Sequence, residues 1–255
     1  MASATPHPRA ERFLPAGQAL LRSLGESGCR SGSTRPPAEV HRVALEANSV
    51  VVPADRPRTH VWVVESGILR MQYFTQCGRR RILGFILAGE LVGVGRYDPN
   101  RCSVETVTDS VLCRIDRRTF AGAIEGCAEL RHAVFHQQDQ RLERLRALTW
   151  SLCALNPEQR ICRFLVQLVR SVPVQKGADG SLCVVNPLPR RDVADHLGTS
   201  VETISRITHR LDAKGIIEIL DPVSFRIRNL GALIDAGCMA GDLKDPAGSR
   251  MHRTA

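Results

Sequence analysis

Pro189-Arg190-Arg191-Asp192-Val193-Ala194-Asp195-His196-Leu197-Gly198-Thr199-Ser200-Val201-Glu202-Thr203-Ile204-Ser205-Arg206 opens the stretch, running on to Ile219, whose reading decides the fold. Arg191 to Leu197 forms a short amphipathic helix with Val193, Ala194 and Leu197 on one face. Gly198 can take a left-handed corner at little cost. Thr199 or Ser200 can then cap a second helix whose first turn carries Glu202. In that helix Ile204, Ile207 and Leu211 recur at helical spacing and are expected in a core. Glu202, Ser205, Arg206 and His209 share the opposite face.

Helix, glycine turn and helix make a helix-turn-helix, whose second helix lies in the major groove with its N-terminal residues on base edges. Arg206 can donate two hydrogen bonds to guanine O6 and N7, and Glu202 can accept from cytosine N4. Ser205 is small enough to permit close approach, and Val201 offers a contact for a thymine methyl. Thr199, Ser200, Thr203 and His209 are expected at flanking phosphates. Periodicity alone fits an ordinary amphipathic helix equally well. The sequel decides: Gly215 stops the helix, and Ile216 to Leu220, the turn Asp221-Pro222-Val223-Ser224 and Phe225-Arg226-Ile227 form a hairpin, as in a winged helix.

With helices and hairpin together, the chain resembles the CRP/FNR family of bacterial transcription regulators. Val201-Glu202-Thr203-Ile204-Ser205-Arg206 resembles the FNR/FixK branch, where a Glu-x-x-Ser-Arg core reads TTGA-type half-sites. The cyclic-AMP receptor branch has an arginine before the glutamate and a glycine before the later arginine, positions held here by Val201 and Ser205. The resemblance spans about Val50 to Leu230. It implies an α+β fold: a flexible segment over 1–38, a jelly-roll, cyclic-nucleotide-binding-like β domain over 39–118, and a dimerisation helix region over 119–155. A winged helix-turn-helix domain over 156–230 and a tail over 231–255 complete it.

The rest of the chain is consistent with this plan. Its 255 residues suffice for two domains, and 43% hydrophobic content supports real cores. A net charge of +9 favours an anionic partner such as nucleic acid. No apolar run reaches membrane-spanning length. Pro6, Pro8 and Pro15 break up a start that lacks a signal-peptide apolar region, so the expected location is the cytoplasm, with no membrane partner. One helical candidate lies at Ala16–Leu24, and Gly28 to Ser33 reads as linker.

From Val40 to Ile115 short strands alternate with turn residues. The candidates are Val50–Val52, Val61–Val64, Ile68–Tyr73, Arg81–Ile86, Val104–Val107 and Val111–Ile115, punctuated by Ser66-Gly67, Cys77-Gly78, Ala88-Gly89 and Asp98-Pro99-Asn100. Such spacing suits a jelly roll. The run Gly84 to Gly93 resembles the same segment of FNR-type sensor domains. Gly89-Glu90-Leu91 supplies part of a cyclic-nucleotide pattern, but Arg101-Cys102-Ser103 imitates only loosely the Arg-Ser/Thr-Ala that should follow. The expectation is a turn, not a nucleotide site.

Thr119 to Leu155 reads as one long helical region. Phe135, Gln138, Leu142, Leu145, Thr149 and Leu152 step by three and four residues, with Val134, Leu148 and Leu155 alongside and Arg141, Glu143, Arg144 and Arg146 flanking. By resemblance this seam is the interface of a homodimer, which a palindromic site requires. Asn156-Pro157-Glu158 starts a further helix, Pro173 to Gly180 is a loop, and a short helix at Leu230–Ala236 precedes a polar tail.

Nine cysteines contain no Cys-x-x-Cys pair, which argues against a zinc finger. Oxygen-sensing FNR proteins carry clustered N-terminal cysteines on an iron–sulfur cluster; this chain has Cys29 alone there, and Cys113 is read as a strand-core residue. Free thiols, no metal and no cofactor are therefore expected. Cys183, just before the helix-turn-helix, is the candidate redox switch, and His132 with His136 reads as a solvated pair. No catalytic constellation points to an enzyme. The reading is a dimeric, sequence-specific DNA-binding regulator, with RNA polymerase as the partner that the resemblance implies. The alternatives are an effector-gated regulator of the same fold, sensing a cyclic nucleotide, redox thiol or metal cluster, and a ligand- or redox-reactive β-barrel protein that binds no DNA.

Overall fold

The computed structural model describes residues 17–22, 40–54, 56–95, 102–172, 174–177 and 179–238. Two compact units divide the chain, one within Met1–Ala147 and one within Leu148–Ala255. Cys29, the linker at 28–33, Arg101, the turn at 98–100 and the tail beyond Cys238 lie outside the described residues.

The first unit begins with helix α1, residues 17–22. Two antiparallel four-stranded sheets follow. One has the order β1 (Val40–Leu45), β8 (Ser110–Asp116), β3 (His60–Ser66), β6 (Leu91–Val92). The other has the order β2 (Val50–Val52), β7 (Cys102–Thr106), β4 (Leu69–Phe74), β5 (Arg80–Ile86). Alternation along the strands gives this unit two cores. Val64 and Leu112 face Leu69, Ile86 and Val104 of the other sheet. Val61, Val63, Cys113 and Ile115 point the other way, onto Leu20, Phe120, Leu130, Ala133 and Val134 of the helices. The one buried cation of the sheets, among the described residues, is compensated as burial demands: Arg70 meets Glu105 across β4 and β7 at 2.8 Å and Asn48 at 3.0 Å.

The helical region expected over 119–155 holds two helices. Helix α2, Arg117–Gly126, is capped by Asp116, which accepts from the backbone N–H groups of Arg118 and Thr119. Cys127 is extended, and α3 runs from Ala128 to Ala154. Arg131 stabilises the break by donating to the carbonyls of Ile124 and Glu125, both at 3.1 Å, acceptors that a helix end leaves open. The apolar period continues through the break, so the sequence pattern does not register it.

In the second unit α4, Pro157–Ser171, starts in a capping box: Asn156 and Gln159 each bind the other's backbone N–H at 3.0 Å. Its buried face carries Ile161, Cys162, Phe164, Leu165, Val166 and Leu168. Four strands in the order β11 (Ile217–Ile219), β12 (Ser224–Ile227), β10 (Leu182–Val185), β9 (Val174–Lys176) form the wing sheet. The expected loop over 173–180 therefore holds a strand, β9, paired with β10 through Val174↔Val184 and Lys176↔Leu182. Three residues are too few to show a period. Helices α5 (Arg190–Leu197), α6 (Val201–Ala213) and α7 (Leu230–Ala236) complete the unit.

Gly198 joins α5 to α6 with φ 61° and ψ 41°, and a Cβ there would lie 3.2 Å from Leu152 Cδ2. Gly198→Ala should lower the unfolding free energy by about 1 kcal/mol or more, the cost of a side chain in the left-handed region. Urea unfolding of the two proteins measures it.

Candidate nucleic-acid interface

The local chemistry of 190–213 produces one well-anchored helix with one open face. Val193, Ala194 and Leu197 bury one side of α5, and Ile204, Ile207 and Leu211 one side of α6. Between them Thr199 N–H donates to Ala194 O at 3.0 Å, closing the turn. Ser200 is the cap of α6: its hydroxyl accepts from Thr203 N–H at 3.1 Å and lies 3.1 Å from the Thr203 hydroxyl. Thr199 is therefore the linker residue rather than the cap.

On the outer side of α6, Glu202, Arg206 and His209 are exposed, while Val201, Thr203 and Ser205 are half-buried. Glu202 is held below the usual glutamate range by its own backbone N–H and by the Ser200 hydroxyl, so at neutral pH it is an ionised acceptor. The residues read as base contacts thus share the first two turns, with Thr199, Ser200, Thr203 and His209 around them. The geometry offers an acceptor, a small hydroxyl and a planar guanidinium on one helical strip.

Two arginines that the sequence reading left unassigned open α5. Arg190 and Arg191 are both exposed, and Arg190 donates to Pro222 O in the wing turn at 3.1 Å. Their signal was a basic pair at a helix start beside the recognition element. The wing hairpin is as expected, pairing Ile217↔Ile227 and Ile219↔Phe225. Its Asp221 carboxylate accepts from Val223 and Ser224 N–H at 2.8 Å each, and these bonds hold it below the ordinary aspartate range.

Cys183 is half-buried in β10 and pairs with Arg226 in register. The Cys183 sulfur, and then Glu218, hold the Arg226 guanidinium further toward its charged form. The two line an open depression of about 400 Å³ with Lys176 and Asp179. Cys113 is buried in β8 and donates to Glu65 Oε1 at 2.9 Å; burial, then Glu65, pushes its pKa up to about 12. That is the thiol of a strand core, not a reactive one. His132 and His136 are exposed on α3. Among the described residues no group of three or more His, Cys, Asp or Glu side chains is placed to hold a metal, and no helix is long and apolar enough to cross a membrane.

Along α3 the seam residues separate by exposure. Phe135 is 77% exposed, Leu142 and Leu152 are exposed apolar residues, Thr149 is exposed, and Gln138 and Leu145 are half-buried. Trp150, also exposed, lies under the Arg163 guanidinium at 5.3 Å. Val134 is instead buried in the core of the β unit.

α6 is tied to α4 by charge as well as by packing. Arg210 and Lys214 reach Glu158 at 2.7 and 3.3 Å. Partial burial pushes Glu158 up, but hydrogen bonds from Lys214 and Arg210 outweigh it and hold the carboxyl below its usual range. A carboxylate depressed in this way contributes stability above its unfolded pKa and loses it as pH falls through the folded value. Glu158→Gln should therefore flatten the acid limb of the stability profile between about pH 5 and 3, read from urea midpoints across that window.

Comparison with known proteins agrees with this geometry. Residues 159–236 match the family model of the Crp-like helix-turn-helix domain, and residues 42–127 that of the cyclic nucleotide-binding domain. The nitrogen fixation regulation protein FixK of Azorhizobium caulinodans is 28% identical over 205 residues, 79% of this chain and 82% of that protein. FixK of Bradyrhizobium diazoefficiens is 25% identical over 179 residues, covering 70% and 75%. Among solved structures, FixK2 from Bradyrhizobium japonicum superposes with a TM-score of 0.70 at 22% identity, over 78% of this chain and 97% of that one. A CooA variant from Carboxydothermus hydrogenoformans gives 0.68 at 18%, over 78% and 88%. With a matching domain at each end and relatives of this kind, the chain belongs to the CRP/FNR family of transcription regulators, on its FixK branch, and is a DNA-binding regulator rather than an enzyme.

Proposed function

We propose that the protein acts as a homodimer on a two-fold palindrome of TTGA-type half-sites, with Glu202, Ser205 and Arg206 reading bases. The observation that carries this is the open strip of α6, whose opposite face is buried and whose N-terminus is capped by Ser200. Arg206 donates in a fork to guanine, Glu202 accepts from cytosine N4, and Val201 meets a thymine methyl. Thr199, Ser200, Thr203 and His209 hold the register through phosphates, where a helix N-terminus favours anions. A gel shift with a TTGA palindrome against a scrambled duplex is the direct test. Replacing Arg206 by Ala should cost about 1–3 kcal/mol of discrimination at the guanine, with a smaller loss on nonspecific DNA. Equal selectivity in Arg206→Ala would move the recognition surface elsewhere.

The dimer seam is assigned to Phe135, Gln138, Leu142, Leu145, Thr149 and Leu152. Support comes from the exposed apolar residues of this stripe, since each large side chain brought out of water contributes about 1.5–3 kcal/mol. Placing Asp at Leu145 brings like charges together in a desolvated seam. Sedimentation should then find monomer where the parent is dimeric, with affinity for the palindrome falling in parallel; the loss should reach several kcal/mol. The same reading makes RNA polymerase the protein partner and the cytoplasm the place of action. It also makes Cys183 the thiol whose oxidation to an acid form would set negative charge beside phosphates and weaken binding.

A further inference from the structure

Gly89-Glu90-Leu91 is where the sequence comes nearest to a nucleotide pocket, and its polar atoms can be followed one by one. Gly89 N–H donates to Val64 O at 2.6 Å, and Gly89 O accepts from Gly17 N–H at 3.1 Å. A Cβ on Gly17 would sit 2.6 Å from that oxygen, so α1 approaches the turn at a distance only glycine allows. Glu90 N–H donates to Leu87 O, and Glu90 O accepts from Val64 N–H, both at 3.1 Å. Leu91 N–H donates to Gln137 Oε1 at 3.1 Å. Leu91 O accepts from Gln137 Nε2 and Arg141 Nη2, both at 3.2 Å. The Glu90 carboxylate, 14% exposed, accepts from Arg144 Nη2 on Oε1 at 2.6 Å. Its Oε2 makes no hydrogen bond and lies 3.6 Å from Arg141 Nη2.

The helix side of these contacts has a regular order. Leu130, Val134, Gln137, Arg141 and Arg144 step by four and three residues, so they form one stripe of α3. The first two are buried in the core of the β unit, and the last three grip the turn. The proposed seam, Phe135, Gln138, Leu142 and Leu145, is the same series moved on by one residue. One residue is about 100° of rotation about the helix axis. Apolar packing through Leu130 and Val134 tolerates sliding and turning, whereas a bidentate amide and a charge-assisted bond do not.

We propose that Glu90, gripped by Arg144 and Arg141, is a positioning residue that fixes the rotation of α3 on the β sheets from within the chain. The seam then faces outward without any small-molecule ligand at this turn. This inference rests on the proposed dimeric, DNA-binding function. It adds that the β unit holds α3 in its DNA-competent setting by a protein-supplied ion pair, in the place where a nucleotide-binding domain would use its ligand.

The experiment compares the parent with Glu90→Gln, Arg144→Gln and the double variant Glu90→Gln with Arg144→Gln. Hydrogen exchange over residues 87–93 and 137–147, dimer dissociation by sedimentation, and affinity for the palindrome are read with and without cyclic AMP. Each single variant should exchange faster in both segments and lose roughly ten- to a hundredfold in dimer and DNA affinity, the range for a bond to a charged group. The double variant should lose little more than either single one, because both changes break the same bond, which two side chains acting independently would not show. Cyclic AMP should leave the parent unchanged. Single variants indistinguishable from the parent, a double variant whose loss is the sum of the two singles, or tighter DNA binding with cyclic AMP would each overturn the proposal. Hydrogen exchange reads the clasp with no DNA present, so failure of the parent on every palindrome would count against the function alone.

Discussion

The proposed reading of DNA depends on one side of α6 being held while the other stays open. The helix packs through Ile204, Ile207 and Leu211 into a unit in which α4, α5 and β11 are its neighbours. The Glu158 ion pairs with Arg210 and Lys214 add a second anchor at its far end. A helix anchored along one face and capped at its N-terminus loses little further entropy when it meets a groove, because its side chains start from a fixed frame. The strip of Glu202, Ser205 and Arg206 is thereby presented rather than assembled. The left-handed Gly198 corner makes that frame possible, turning the chain out of α5 so that Thr199 and Ser200 lead directly into α6.

A comparable division of labour runs along α3. One stripe buries Leu130 and Val134 and ends in the contacts of Gln137, Arg141 and Arg144 with the Gly89–Leu91 turn. The neighbouring stripe leaves Phe135, Leu142 and Leu152 uncovered. A single helix thus carries both the attachment to the β sheets and an exposed apolar edge. Polar contacts suit the first task because they define orientation, and apolar ones suit the proposed dimer contact because their burial would supply most of its association free energy.

The elements legible in the sequence are those whose signals are local. The Gly198 corner, a cap at Thr199 or Ser200, the Asn156-Pro157 start of α4 and the Asp221–Ser224 turn each follow from residues within four positions of one another. The inward faces of α5 and α6 follow from helical period alone. What was missed has a different physics. β1 is an edge strand with most of its residues exposed, so it lacks the alternation that a half-buried strand displays. β6 and β9 have two and three residues and owe their existence to partners elsewhere in the chain. The break at Cys127 depends on Arg131 reaching back to two carbonyls. Arg141 and Arg144 read as charges flanking a seam; their partner, Glu90, lies about fifty residues away and no periodicity points to it. Gln137 and Gln138 are adjacent and chemically identical, and only the fold separates the one buried on Leu91 from the one in the proposed seam.

Selection of binding sites from a duplex library with a randomised core tests the central claim most directly, because it presupposes neither the sequence nor the symmetry of the target. Repeated rounds with the purified protein, without added nucleotide, should enrich two TTGA-type half-sites in inverted repeat, their centres about one helical turn apart. Enrichment of a single asymmetric element, or of no sequence at all above the nonspecific background, would contradict the account.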